Sequence, residues 1–251
     1  MKKTKVAVAM SGGVDSSVAA VLLKEMGYDV VGVFLTCWSE GVGCSIETDR
    51  MDAMRVAVKL GVPFRVFNFE KEYQERVIDR FFEAYQKGQT PNPDIWCNEE
   101  IKFGLFLEKA LSELKVDFIA TGHYARVKSK EQREKRKTYH LLMGVDESKD
   151  QSYFLYRLNQ FQLSKTLFPV GTLTKQSVRE IAKKKGLHNA DKPDSQGICF
   201  VGNINVNEFL KKRLPVKKGE VVTTRGEVIG EHDGVWFYTI GQRHGFTVDK
   251  Y

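Results

Sequence analysis

The junction between residues 5 and 17 constrains the fold of this chain more than any other segment. The apolar run Val6 to Met10 predicts a buried parallel strand, and residues Asp15 to Met26 follow at helical period. Between them stands the turn Ser11-Gly12-Gly13. Glycines at such a junction let backbone N–H groups approach an anion, and the start of the helix adds partial positive charge. The junction therefore predicts a phosphate-binding loop, although a strand–helix turn without a ligand would contain the same glycines.

Two common nucleotide-binding motifs are absent from the sequence. No G-x-x-x-x-G-K-[ST] pattern occurs, which disfavours a P-loop kinase or GTPase. No G-x-G-x-x-G pattern occurs either, which disfavours a dinucleotide site. The sequence therefore predicts a phosphate cradle that lacks the P-loop lysine.

The composition is that of a globular protein with a basic surface. The 251 residues are 42% hydrophobic and 28% charged, enough for one large domain or two smaller ones. No apolar run approaches membrane-spanning length, so we expect no membrane partner and a cytoplasmic location. The net charge of +7 favours a polyanionic partner such as nucleic acid, although a solvated surface explains it almost as well.

Strand and helix patterns alternate through the first 120 residues. This alternation predicts an α/β fold, a doubly wound parallel sheet that binds ligands at the carboxyl ends of its strands. Ser11-Gly12-Gly13 and Thr121-Gly122-His123 both fall at such ends. The helix from Asp49 to Leu60 is expected to turn Met51, Met54, Ala57 and Val58 inward, and the next helix carries an apolar stripe. The predicted strands are Val6–Met10, Val30–Leu35, Pro63–Phe69 and Val116–Thr121, and the stripe consists of Tyr73, Val77, Ile78, Phe81, Phe82 and Tyr85.

After Gly122 the alternation stops. A hairpin is predicted around Lys128 to Lys137, whose six basic and two acidic side chains suit either nucleic-acid contact or a solvated loop. A helix from Lys175 to Lys185 ends at Gly186, and short strands follow from Glu220 onward, including Val235 to Ile240. We expect a catalytic domain at 1–165, a small mixed α/β domain at 166–218 and the start of a truncated β domain at 219–251.

Two of the four cysteines lie in unusual segments. No C-x-x-C pair occurs, so neither a zinc site nor a thioredoxin-like motif is expected. Cys97 precedes a predicted helix for which Asn98 is the expected N-cap, a position that lowers the pKa of a thiol. Cys199 lies in the polar turn 194–200. Taken alone, each is more often a buried filler, and a static disulfide is disfavoured in a reducing compartment.

Five segments in order resemble the tRNA-specific 2-thiouridylases, which belong to the ATP-pyrophosphatase, or PP-loop, enzymes. The resemblance extends from residue 5 to about residue 245 and implies the adenine nucleotide α-hydrolase fold. It also implies an enzyme that makes 2-thiouridine at the wobble position of tRNA. The segments are Ser11-Gly12-Gly13-Val14-Asp15-Ser16, Asn92-Pro93-Asp94 with Cys97-Asn98, Ala120 to Arg126, Lys149 to Tyr153 and Asp194 to Phe200.

The resemblance implies a two-stage reaction. The C2 oxygen of uracil attacks the α-phosphate of ATP, pyrophosphate leaves from the Ser11–Ser16 loop, and sulfur then displaces AMP. Mg²⁺ accompanies ATP, with Asp15 as its nearest candidate partner and no fixed metal site. Cys199 carries the persulfide and Cys97 frees its outer sulfur by forming a transient disulfide. A cysteine desulfurase or sulfur-relay protein is the implied donor.

The remaining site residues are carried over from the resemblance position by position. Cys37 and Cys44 match no family role and are interpreted as structural. The implied ATP-binding residues are Ala9, Met10, Ser11, Gly12, Gly13, Val14, Asp15, Ser16, Leu35 and Gly122. The implied contacts with the target base or tRNA are Asn92, Pro93, Asp94, His123, Lys149, Asp150 and Gln151.

One departure from the family keeps two alternatives open. Family members continue past Gly234–Arg243 into a C-terminal β-barrel that helps to bind tRNA. This sequence is expected to lack most of that barrel. A tRNA-binding remnant without catalysis is one alternative, and tRNA binding is expected to be weak and strongly dependent on salt. Another PP-loop ligase, of the asparagine or argininosuccinate type, is the second and would need no cysteine pair.

Overall fold

A parallel five-stranded sheet forms the centre of the computed structural model, which describes residues 3–38, 43–131, 137–194 and 205–248. The sheet order is β3-β2-β1-β4-β7, and every neighbouring pair is parallel. The predicted parallel α/β sheet is therefore confirmed. The strands are β1 (Lys5–Ala9), β2 (Asp29–Thr36), β3 (Phe64–Asn68), β4 (Phe118–Ala120), β5 (Ala125–Glu131), β6 (Lys137–Met143), β7 (Thr166–Leu167), β8 (Gly219–Val222), β9 (Val228–His232) and β10 (Thr247–Val248).

The helices connect these strands, and two of the long ones are built from consecutive helical segments. In α3 and α4, some segments are π-helical, namely Gln74–Ile78, Cys97–Leu105 and Ala110–Leu114. The helices are α1 (Val14–Glu25), α2 (Gly43–Leu60), α3 (Glu70–Tyr73, Gln74–Ile78 and Asp79–Gln86), α4 (Pro93–Trp96, Cys97–Leu105, Phe106–Lys109 and Ala110–Leu114), α5 (Gln160–Ser164), α6 (Lys175–Lys184) and α7 (Val206–Lys211). Single 3₁₀ turns lie at Glu147–Lys149, Ser152–Leu155, Pro169–Thr172 and Val235–Phe237.

Both faces of the sheet are covered by a buried apolar layer. Successive residues of β1 alternate between them: Ala7 belongs to the layer formed with α3 and α4, whereas Val6 and Val8 belong to the layer formed with α1 and α6. The aromatic stripe predicted for α3 is buried along its whole length, as expected. Because β1 is covered on both faces, its buried residues are apolar in succession, as is usual in a doubly wound sheet.

The predicted inward face of α2 is confirmed for Ala57 and wrong for Met54 and Val58. Met54 and Val58 are exposed at 36% and 73%, whereas Ala53, Val56 and Ala57 are buried. Asp52 is buried on the same side as the alanines. The carboxylate of Asp52 pairs there with Lys192, which lies 140 positions later in the sequence. Apolar periodicity does not encode such a contact.

The predicted boundary after residue 165 cuts this central sheet. Strand β7 pairs with β4 as the fifth strand, and Val178 and Ala182 of α6 share a buried layer with Val18 and Ala19 of α1. The helix itself is confirmed, ending before Gly186, whose φ of +62° suits the residue after a helix.

The last described segment forms a small antiparallel sheet in the order β10-β9-β8. The predicted strand from Val235 to Ile240 is wrong: Val235–Phe237 is a 3₁₀ turn that begins after Gly234, whose φ is +150°. Phe237 of this turn is buried in the layer that contains α3. Phe209 of α7 packs on the same layer, with its ring centre 5.2 Å from that of Phe82. Within the part of the chain that the structure describes, no helix has both the length and the apolarity needed to cross a membrane.

Candidate active site

The loop after β1 has a conformation that only glycine allows at one position. Gly12 has a φ of +79°, and a Cβ there would lie 2.3 Å from the carbonyl oxygen of Asp49. Gly13 precedes α1 as its N-cap, and no side chain caps the helix there. The first N–H groups of α1 are therefore not used by a cap and can meet an anion.

Serine side chains hold this loop in shape without a ligand. The Ser16 hydroxyl donates to the carbonyl of Gly13 at 3.1 Å and accepts from the backbone N–H of Ser11 at 3.2 Å. The Ser17 hydroxyl donates to the same carbonyl at 2.8 Å. The loop is preorganised, so little conformational entropy remains to be lost when it binds an anion.

The second predicted motif lies directly against this loop. Strands β1 and β4 are neighbours at the point where the strand order reverses, which is where doubly wound sheets bind ligands. A Cβ at Gly122 would lie 2.5 Å from the backbone nitrogen of Ser16 and 2.7 Å from the carbonyl carbon of Asp15. The segment after β4 thus lies so close to the start of α1 that only glycine fits at position 122. Leu35 lies buried near the end of β2, the next strand in the sheet.

Two lysines from distant parts of the sequence flank the loop, and neither belongs to a P-loop motif. The Nζ of Lys175 lies 2.7 and 2.8 Å from the two carboxylate oxygens of Asp15, across 160 positions of sequence. The Nζ of Lys192 lies 2.7 Å from Asp49, 2.6 Å from Asp52 and 3.4 Å from the carbonyl oxygen of Gly12. No motif spacing pointed to either residue, because the packing of α6 on α1 brings them there.

A buried amide completes the support of the loop. The side-chain nitrogen of Asn189 donates to the carbonyl of Gly12 and to the hydroxyl of Ser17, both at 2.9 Å. Asn189 is 3% exposed. The segment after α6 therefore supports the Ser11–Ser16 loop through this side chain, a contact that the sequence did not indicate.

Asp194 gathers three cations. Its carboxylate lies 2.8 Å from Lys149, 2.7 Å from Lys175 and 3.2 Å from Arg179. Burial opposes ionisation of Asp194, but the hydrogen bonds from Lys149 and Lys175 outweigh it and lower its pKa to about 2. Asp194 is therefore a carboxylate at neutral pH and is the last described residue before 195–204.

Tyr124 connects Asp15 to the segment at 149–151. Its hydroxyl donates to Asp15 at 2.8 Å, and its backbone N–H donates to the side-chain oxygen of Gln151 at 3.0 Å. Burial, and then the charge of Asp15, raise the pKa of Tyr124 far above the usual range, so the phenol remains a donor. Asp150 accepts from the backbone N–H of Gly144 at 2.8 Å. Asp150 and Gln151 thus anchor the segment, and Lys149 presents its charged end beside Asp194.

His123 lies between aromatic rings at the end of β4. Its Nδ1 is 2.8 Å from the Thr121 hydroxyl, and its ring centre is 5.8 Å from that of Phe103 and 6.2 Å from that of Phe168. Burial, and then the charge of Lys102, lower the pKa of His123 well below its usual value. The imidazole is neutral at pH 7 and can stack or hydrogen-bond, but it supplies no positive charge for an RNA phosphate.

The helix that carries Cys97 begins earlier than predicted. Asn92 is its N-cap, accepting from the backbone N–H of Asp94 at 3.1 Å, and Pro93 is its first residue. The expectation that Asn98 caps the helix is wrong. Cys97 lies buried, one turn inside the helix, so the proposed effect of a helix N-terminus on its thiol does not hold. Asn98 instead donates to the carbonyl of Phe154 at 3.2 Å, joining this helix to the segment after Gln151.

Part of the predicted site falls outside the described residues. Residues 195–204 include Cys199, so the predicted meeting of Cys97 and Cys199 stays a prediction. Cys37 is buried in the apolar layer beside α3, as a structural role implies. The side chain of Cys44 is not described. Across the described ranges, no group of three or more histidine, cysteine, aspartate or glutamate side chains could hold a metal ion.

Two family models match the chain. One, described as the tRNA methyl transferase HUP domain, matches residues 4–203. The other, described as the tRNA methyl transferase PRC-barrel domain, matches residues 207–251. Together they cover both the parallel sheet and the small antiparallel sheet.

Curated relatives agree with these matches. The chain is 51% identical over 250 residues to the tRNA-specific 2-thiouridylase MnmA of Enterococcus faecalis, covering 98% of this chain and 65% of that protein. It is 53% identical over 251 residues to MnmA of Nitrosomonas eutropha, covering 99% of this chain and 68% of that protein. The chain thus spans about two thirds of the length of these relatives.

Among solved structures, a complex of 4-thiouridine synthetase with RNA and bound ATP aligns with 83% of this chain and 50% of that one. Its identity is 17% and its TM-score 0.48, a likeness that does not extend to function. Family membership rests instead on the family models and on the relatives that are more than half identical. On that basis, the chain belongs to the tRNA-specific 2-thiouridylase family.

Proposed function

We propose that this chain contains the catalytic part of an ATP-dependent tRNA sulfurtransferase. The reaction adenylates the C2 oxygen of the wobble uridine, releases pyrophosphate, and then replaces AMP with sulfur from a cysteine persulfide. The observation that carries the proposal is the convergence at one sheet edge of the Ser11–Ser16 loop, Gly122 and the 149–151 segment. An enzyme that joins ATP to an RNA base needs those three elements within one site.

The ATP phosphates would lie on the N–H groups of the loop and the start of α1. Asp15 fits the role of a magnesium partner, because Mg²⁺ is usually held by one or two carboxylates together with substrate phosphates. Mg²⁺ would offset the charge of the departing pyrophosphate. Asp15 must exchange its hydrogen bond with Lys175 for that contact, while Tyr124 keeps a neutral donor beside it.

The target uridine would approach from the side of Asn92–Asp94 and His123. Asn92 uses its side-chain oxygen as the helix cap, so its amide nitrogen is the group available to the base. His123 offers a neutral imidazole at the end of β4. Lys149 supplies positive charge for the tRNA backbone.

Sulfur transfer would use both cysteines. A desulfurase or relay protein loads Cys199 as a persulfide, Cys97 attacks the inner sulfur, and the outer sulfur leaves as the nucleophile that displaces AMP. The products are 2-thiouridine, AMP and a Cys97–Cys199 disulfide, which a reductant must reopen. The attacking thiol of this proposal, Cys97, lies buried at the start of its π-helical segment.

Mass spectrometry of nucleosides tests the proposal. The protein is incubated with tRNA, ATP, Mg²⁺ and a persulfide donor, and 2-thiouridine, AMP and pyrophosphate are measured. We expect both Cys97→Ser and Cys199→Ser to lose 2-thiouridine, while Cys97→Ser still accepts the persulfide. Cys37→Ala is the matched control, since Cys37 is another buried cysteine of the same apolar layer as Cys97 and has no role in the proposed reaction.

The outcomes separate the alternatives. Formation of ADP as the main product, or 2-thiouridine in Cys199→Ser, would contradict the mechanism. An amide ligase of the same group would remain fully active in the double cysteine variant. A tRNA-binding remnant would bind tRNA but form no AMP in its presence.

A further inference from the structure

Two chains of contacts join Asp15 of the phosphate loop to residues 149–151. The first runs through charged groups: Lys149 to Asp194 at 2.8 Å, Asp194 to Lys175 at 2.7 Å, and Lys175 to Asp15 at 2.7 Å. The second runs from Gln151 through Tyr124 to Asp15, at 3.0 and 2.8 Å. Asp15, the expected ATP contact, and residues 149–151, the expected tRNA contacts, are therefore connected through two unbroken series of hydrogen bonds.

Lys175 is the shared member of the charged chain. Its side chain is only 12% exposed, and its ammonium lies 2.7 Å from an oxygen of each of two carboxylates, Asp15 and Asp194. Around this point three cations, Lys149, Lys175 and Arg179, face those two anions. A change in the charge of either carboxylate must therefore be felt by the cations that remain.

We propose that Lys175 is a positioning residue that makes tRNA binding at Lys149 and binding of magnesium–ATP at Asp15 mutually favourable. This inference rests on the proposed function, because it assigns a role to residues between its two ligands. It concerns the affinity of each ligand in the presence of the other, and it does not concern the chemical step.

The direction follows from the charges. When the magnesium ion of ATP takes the carboxylate of Asp15, Lys175 keeps Asp194 as its remaining partner. Asp194 is then the carboxylate that contacts all three cations, so Lys149, which is 40% exposed, is the one that can leave for an RNA phosphate. Conversely, a phosphate that takes Lys149 leaves Asp194 to Lys175 and Arg179 and weakens the hold of Lys175 on Asp15. Coupling of two binding equilibria is reciprocal by thermodynamic necessity.

The test measures binding without turnover. The dissociation constant of a fluorescent tRNA is determined by anisotropy at fixed salt, with and without the magnesium complex of α,β-methylene-ATP, which cannot be cleaved. We expect the nucleotide to tighten tRNA binding by about fivefold or more in the unmodified protein. In Lys175→Met, each ligand should still bind, but the tightening should fall to less than about twofold. Lys175→Arg should retain part of it.

Two further variants separate coupling from a general structural effect. Lys183→Met removes an exposed lysine of the same helix, paired with Asp191 at 2.8 Å, and should keep the full coupling. Asp194→Asn should strengthen tRNA binding in the absence of nucleotide, because Lys149 is then released. A merely structural role for Asp194 predicts weaker binding instead, and this variant keeps the test decisive if Lys175→Met does not fold.

The proposed coupling is overturned if the protein binds both ligands but the nucleotide leaves tRNA affinity unchanged or weakens it. It is also overturned if Lys175→Met couples as strongly as the unmodified protein. Failure of the unmodified protein to bind either ligand would instead contradict the proposed function itself.

Discussion

Replacing Lys192 with methionine should destabilise the protein through the carboxylates that the change leaves behind. The ammonium of Lys192 lies 2.7 Å from Asp49 and 2.6 Å from Asp52, and near the carbonyl of Gly12. Methionine keeps most of the aliphatic stem and removes the charge. Among the described residues, Arg55 and His188 would then be the remaining ionic partners of Asp52, whose side chain is 11% exposed.

The expected loss is between the values for buried and exposed ion pairs. Breaking a fully buried pair costs about 3–5 kcal/mol, whereas an exposed pair contributes about 0–1 kcal/mol. The Lys192 side chain is 26% exposed, so solvent screens part of the interaction. We therefore expect a loss of about 2–3 kcal/mol, which corresponds to a fall in Tm of roughly 4–12 °C for a chain of this size.

Thermal and urea unfolding at several pH values measure this loss. Burial opposes ionisation of Asp52, but hydrogen bonds from Lys192 and His188 leave its pKa below the ordinary value. The contribution of a carboxylate with a lowered pKa is present above the unfolded pKa and is lost as pH falls through the folded one. The difference between Lys192→Met and the unmodified protein should therefore narrow below about pH 4.

Two controls make the result interpretable. Lys183→Met removes a lysine whose pair with Asp191 is exposed at 58% and 81%, and should cost at most about 1 kcal/mol. Adding Asp52→Asn to Lys192→Met should recover stability, because the stranded charge is removed. Equal losses in Lys192→Met and Lys183→Met, or no recovery in the double variant, would refute the reasoning.

Three further predictions address the loop and its neighbours. Gly122→Ala should lower the free energy of unfolding in urea by about 1–3 kcal/mol, because the added Cβ would displace the start of α1. It should also weaken ATP binding measured by calorimetry, and unchanged affinity would contradict the close approach. The protein should lose stability as pH falls below about 6.5, because the His123 imidazole has a lowered pKa when folded and takes up a proton more readily when unfolded. His123→Gln should remove part of this loss. Identical profiles of unfolding free energy against pH for the variant and the unmodified protein would argue against burial of the neutral ring. Asp15→Ala should abolish formation of AMP and pyrophosphate while unfolding stays cooperative, and continued turnover would remove Asp15 from the mechanism.

The start of α4 shows how a signal can be present in the sequence and still be misinterpreted. Asn92 followed by Pro93 is a strong helix start, since asparagine caps well and proline is preorganised for the first helical position. The prediction that Asn98 is the N-cap overlooked this signal and placed Cys97 outside the helix. The structure places Cys97 inside it, buried.

The sequence by itself determined the glycine loop between β1 and α1, the parallel α/β sheet and the buried stripe of α3. These features depend on local periodicity and on glycine geometry, which a single segment contains in full. Apolar strands between helices also placed Ser11–Gly13 and Gly122 at one edge, because carboxyl ends of parallel strands share an edge.

Tertiary structure alone decided which charges meet at that edge. Lys175 reaches Asp15 across 160 positions, and Lys192 reaches Asp52 across 140. The same pairing turned α2 so that Asp52 faces inward where apolar periodicity placed methionine and valine. Such contacts depend on how α6 and the segment after it pack on α1, and a charged side chain has no periodic pattern that names its partner.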